Sequence, residues 1–141
     1  MYNILQSAHS GWAYLLVLVL FIATVNAVIG FFTKREFGNR DFSLALIGLI
    51  VTHIQLLIGI ILYLTPQNLA RWEGFEMSNS ATRLLIIEHP LMMIIAVALL
   101  TIGYSKSKKK IVSRGKFKML SIFYTLAFLV ILSRLPWSQW L

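Results

Sequence analysis

Apolar residues fall in four long runs, approximately Gly11–Phe32, Phe42–Leu64, Leu84–Tyr104 and Met119–Leu135, and nearly all charge lies between them. Each run approaches the roughly 20 residues that a helix needs to cross the hydrocarbon of a bilayer. Backbone groups in hydrocarbon must bond within their own segment, so each run predicts a helix. The pattern predicts an all-α, four-helix transmembrane bundle with helices at about 4–32, 42–64, 81–104 and 118–136. The runs use most of the chain, so residues 1–141 read as a single domain with no room for a separate soluble one.

Within the runs, small and polar positions form stripes. His9, Ala13, Leu16, Leu20, Ala23, Ala27 and Gly30 recur at spacings of four and three, the register of one helix face. Ala45, Gly48, Thr52, Gln55 and Gly59 make a comparable seam in the second run, with His53 at its edge. His89, Met92, Ala96, Leu99 and Gly103 continue the pattern in the third. Small residues allow close approach between membrane helices, where exclusion of water cannot drive association. The fourth run is the least polar, with Ser121, Thr125 and Ser133 scattered along it and Arg134 near its end.

Charge then orients the bundle. Of the 13 Lys and Arg residues, Lys34, Arg35 and Arg40 lie between the first two runs, and Lys106, Lys108, Lys109, Lys110, Arg114, Lys116 and Lys118 between the last two. With Glu36 and Asp41 those loops carry the entire net charge of +8, and the opposite face sums to zero. This is the positive-inside pattern, which places both termini and the Thr65–Thr82 loop on the outer side. Trp12, Trp72, Trp137 and Trp140 are all assigned to that outer boundary. No Lys or Arg precedes the first run, which exceeds the core of a signal peptide and reads as a retained helix. The basic loops lack the interleaved aromatics of a nucleic-acid surface; anionic lipid headgroups are the partner they fit.

The chain has no Cys, which removes disulfides, thiolate ligands and cysteine nucleophiles. It offers no Ser-His-Asp set, no paired carboxylates and no Gly-rich phosphate loop, so independent enzymatic turnover is not expected. Its chemistry resides in His9, His53 and His89, one in each of three helices. At about 1.5 Å per residue, His9 lies roughly 10 Å from the start of its helix, His89 roughly 13 Å below Ser80, and His53 about 15–18 Å below the outer end of the second helix. Imidazoles converging from facing helices hold a haem or a metal.

A haem b between two histidines suits this set, with Arg83 and Arg134 near the same surface for the propionates. His9 with His89 matches best in depth, and His53 with His89 is the next pairing. Ligation by His9, His53, His89 and Glu88 would instead hold copper or zinc. In a cofactor-free reading the histidines are hydrogen-bonded to neighbouring helices and Glu88 pairs with Arg83 or Arg134. Glu88 adjoins His89, and Pro90 removes a backbone donor, freeing the carbonyl of Ile86 and predicting a kink beside that histidine. Gln55 reads as an interhelical contact rather than a quinone contact.

The segment Thr52-His53-Ile54-Gln55-Leu56-Leu57-Ile58-Gly59, followed by Leu62-Tyr63 and then Glu88-His89-Pro90-Leu91-Met92-Met93, resembles the small four-helix bacterial membrane proteins labelled cytochrome-b-like. The resemblance covers the whole length. A fainter one is to one four-helix half of haem A synthase, whose Gln-x-x-Leu-Gly-type helix is matched imperfectly by Gln55, Leu57, Ile58 and Gly59. It implies His89 as a haem ligand. The Glu-x-x-His-Arg-like motif of that family is missing here, so haem binding is carried over and synthase activity is not. The resemblance implies a multi-pass protein of the bacterial inner membrane working in electron transport, with quinone as a further partner; the small size of the bundle and the small-residue faces of its first two helices imply work with other membrane subunits or as a homo-oligomer.

Overall fold

The computed structural model describes residues 2–137, and four long helices account for most of them. They are α1 (Tyr2–Phe32), α2 (Asn39–Tyr63), α3 (Ser80–Lys109) and α4 (Ser113–Ser133), each long and apolar enough to span a bilayer. The chain is a multi-pass membrane protein by this measure.

The polar ends extend further into helix than hydropathy alone predicts. α2 begins at Asn39 because the Asp41 carboxylate turns back onto the Gly38 N–H at 2.9 Å. α3 continues past Tyr104 to Lys109, where Lys106, Lys108 and Lys109 meet the negative end of the helix dipole. α4 starts at Ser113 and stops at Ser133, three residues short of the predicted end, since Pro136 disfavours helix in the residue before it.

Each helix packs against its neighbours in sequence, and α1 closes the ring against α4. The links 33–38 and 110–112 are short, so the helices alternate in direction. The longer 64–79 link holds a single helical turn, Pro66–Leu69, and a tight turn, Ala70–Trp72. The buried face of α1 is Ala13, Leu16, Leu20, Ala23, Thr24, Ala27 and Gly30, the predicted stripe with Thr24 added and His9, only half-buried, left out. On α2 the buried set contains Ala45, Gly48, Thr52 and Gln55 as expected. On α3 it is rotated slightly, through Ala96, Leu100 and Gly103, with Met93 and Leu99 packed at its edge.

Tyr124 of α4 is fully buried and crosses the bundle to donate its hydroxyl to Ala45 O on α2 at 2.7 Å. Ala45 and Gly48 are small enough to admit its ring. At Gly30, a Cβ would lie 2.4 Å from the buried ring of Phe117, so only glycine fits there. Trp12 is not a boundary anchor. Its indole N–H donates to Val51 O at 2.8 Å, in the seam between α1 and α2. Trp140 lies outside the described residues.

Candidate functional site

The third span does not run as a uniform α-helix. Leu84–Glu88 forms a widened π-type turn, in which the His89 N–H reaches back five residues to Leu84 O. Pro90 follows and has no N–H for Ile86 O. That carbonyl is met from outside the helix, by the Tyr63 hydroxyl at 2.9 Å. Tyr63 in turn accepts from the indole N–H of Trp72 at 3.1 Å. The predicted kink is thus a widened turn, held by two residues that sequence reasoning did not assign to the site.

This turn places His89 across the bundle from His9. Their ring centroids are 6.2 Å apart and the planes are nearly perpendicular, at 89°. His89 Nδ1 lies 2.9 Å from Arg134 O, just past α4. Because a carbonyl can only accept, neutral His89 carries its proton on Nδ1 and leaves Nε2 as a lone-pair donor to a ligand. Helix ends leave carbonyls without partners inside the helix, which is why Arg134 O is free to accept.

His9 is seated by α2. Gln55 Nε2 donates to His9 O at 2.7 Å, the interhelical role expected of Gln55. A Cβ at Gly59 would come within 3.1 Å of His9 Cε1, so glycine gives the imidazole its room. His9 Nδ1 and Gln55 Oε1 are buried with no hydrogen-bond partner. Buried polar atoms are nearly always bonded, and Thr24 Oγ1 and Ser121 Oγ are two further exceptions elsewhere in the bundle.

Glu88 lies between two arginines. Its Oε2 accepts from Arg83 Nε at 2.7 Å, and its Oε1 is 3.8 Å from Arg134 Nε. Arg83 also donates to Met77 O at 2.6 Å. Both guanidiniums expected near the propionates therefore stand at the histidine end, but each is engaged by this carboxylate.

His53 does not join the pair. It bonds Leu49 O through Nδ1 at 2.8 Å, and its Nε2 is 3.4 Å from Thr101 Oγ1. It stands six residues from Gly59, roughly 9 Å deeper along α2. Depth estimates alone had brought all three histidines together; the observed contacts assemble two. Among the described residues no three His, Asp or Glu side chains converge as a metal set, so His9, His53, His89 and Glu88 do not form the four-ligand cluster considered for copper or zinc.

His9 and His89 come from different helices, one tautomer is fixed, and their ring centroids lie 6.2 Å apart. Comparison of the chain with protein-family models, with curated proteins and with solved structures finds no match.

Proposed function

We propose that this chain is a b-type cytochrome-like membrane protein, an electron carrier or the redox subunit of a larger respiratory assembly, with His9 and His89 as the axial pair for one haem b. The observation that carries the reading is the juxtaposition of these two imidazoles across the bundle, at 6.2 Å. A haem bound there supplies reversible one-electron chemistry. The chain's own part is to hold the ligands. Arg134 O fixes the His89 tautomer, a partner of the kind that orients metal-bound imidazoles, and Gln55 and Gly59 set the place of His9.

The basic loops at the far end support an outward-facing site in a bacterial cytoplasmic membrane, with both termini outside. Arg83 and Arg134 would share their charge between Glu88 and the propionates. Little surface is available for an aqueous substrate, which supports a role alongside other membrane subunits or within a homo-oligomer.

A second reading has one observation in its favour: Glu88 already engages both arginines, as in a cofactor-free accessory subunit. Colour separates the two. Protein purified after expression with haem supplied should show a Soret band, lost in His89→Ala and His9→Ala and kept in His53→Ala. A colourless wild type under those conditions would favour the accessory reading.

A further inference from the structure

The 64–79 link and the first turn of α3 frame a cavity of about 220 Å³, lined by Arg71, Glu73, Phe75, Glu76, Asn79 and Thr82, at the end of the bundle opposite the two basic loops. That is well above the roughly 10–15 Å³ that one water needs. Opposite charges line it without neutralising each other. Among the described residues the ion pairs are Arg35 with Asp41 and Glu88 with Arg83 and Arg134. The Arg71 guanidinium and the Glu73 and Glu76 carboxylates therefore face the cavity with no partner in the described chain.

The backbone keeps these charges apart. Arg71 stands in the tight turn Ala70–Trp72, whereas Glu73 is extended, at φ −68° and ψ 125°, so the turn ends between them. Gly74 then takes φ 67°, the left-handed region open to glycine, and the chain reverses so that Glu76 lines the same cavity as Glu73. Asn79 accepts from Thr82 N through Oδ1 at 3.2 Å, which leaves its Nδ2 as a neutral donor on the wall. A simple cation would leave Arg71 unmet, and a simple anion would leave both carboxylates unmet. A zwitterion answers both: a guanidinium forks onto a phosphate or carboxylate, and a primary ammonium has three N–H groups to share between two carboxylates.

The surroundings name the source of that zwitterion. The link leaves α2 at the end of an apolar span, and Leu69 and Trp72, on either side of Arg71, are exposed. An exposed indole is favoured at the depth of lipid headgroups. We propose that this cavity binds a primary-ammonium zwitterion, the phosphoethanolamine headgroup of a phospholipid, with its phosphate on Arg71, its ammonium between Glu73 and Glu76, and its acyl chains passing Leu69 and Trp72. Neither histidine of the pair takes part and binding requires no haem, so the test is independent of the function proposed above.

The full chain in maltoside micelles is titrated calorimetrically with glycerophosphoethanolamine, with glycerophosphocholine and with a short-chain phosphatidylethanolamine. The ethanolamine headgroup should bind saturably and about tenfold more tightly than the choline one, whose methylated nitrogen has no N–H for the carboxylates. The short-chain lipid should bind roughly tenfold more tightly again, through its acyl chains. Arg71→Gln, and Glu73→Gln combined with Glu76→Gln, should each weaken the lipid by roughly tenfold. None of these side chains bonds to the described chain, so thermal unfolding should be unchanged in both variants. Equal binding of the ethanolamine and choline forms, or wild-type affinity in either variant, would overturn the proposal. Headgroup and lipid binding equally well would overturn the lipid source and assign the cavity to a free zwitterion.

Discussion

Single atoms decide several properties of this bundle, and the Tyr63 hydroxyl is the clearest case. It replaces the donor that Pro90 lacks, so Tyr63→Phe should leave Ile86 O unmet and cost about 1 kcal/mol in detergent unfolding, within the 0.5–1.5 range of one such bond. Glycines supply a matched pair of tests. Gly30→Ala drives a methyl group into the buried Phe117 ring and should destabilise by about 1–3 kcal/mol. Gly11→Ala meets nothing within 4 Å and should instead stabilise, by roughly 0.5–1 kcal/mol of helix propensity. At this scale the sequence is readable where chemistry is subtractive. Pro90 announces a freed carbonyl, but nothing local names Tyr63 as the donor that fills it, because that contact spans 23 positions of chain. Tyr124 was equally hidden: an aromatic residue in an apolar run has the same appearance whether it faces lipid or crosses the core.

The widened turn is the element that sets the direction of His89. Restoring an N–H with Pro90→Ala would offer Ile86 O a helical partner and make Tyr63 redundant there. The effects of Pro90→Ala and Tyr63→Phe should therefore be non-additive in a double-mutant cycle, with Tyr63→Phe costing less in the Pro90→Ala background. Additive losses would mean that the two groups do not share this carbonyl. The stripe on α1 was legible because positions of one helix face recur at spacings of four and three, and the buried set follows it from Ala13 to Gly30, adding Thr24 and leaving His9 half-buried. The meeting of His9 and His89 was legible from depth. The separation of His53 was not, since depth ignores both rotation about the axis and which helices adjoin.

Across the whole molecule, the two ends differ in chemistry. At the lysine-rich end Arg35 bonds Asp41 and lies 5.3 Å over Phe117, and Arg114 lies over Phe31, while Ile111 projects, 94% exposed, from the short link. Ser107, though within the basic segment, is buried against Lys116 O and is a poor reporter of sidedness. Cysteine introduced at Ile111 should react with an impermeant reagent from the cytoplasmic side, and at Met77 from the outside; the reverse pattern would invert the proposed topology. The helices also differ in length, 31 residues in α1 against 21 in α4. At 1.5 Å per residue these reach about 46 Å and 32 Å, around a hydrocarbon layer of about 30 Å. α4, whose first turns carry Arg114, Lys116 and Lys118 at the lysine-rich end, does not overrun that layer, whereas α1 must lean or stand proud of it. Bilayer thickness thereby becomes a control on the bundle: thin lipids increase the lean of α1 against a fixed α4, and because His9 rides on α1, its spacing to His89 should respond to acyl-chain length.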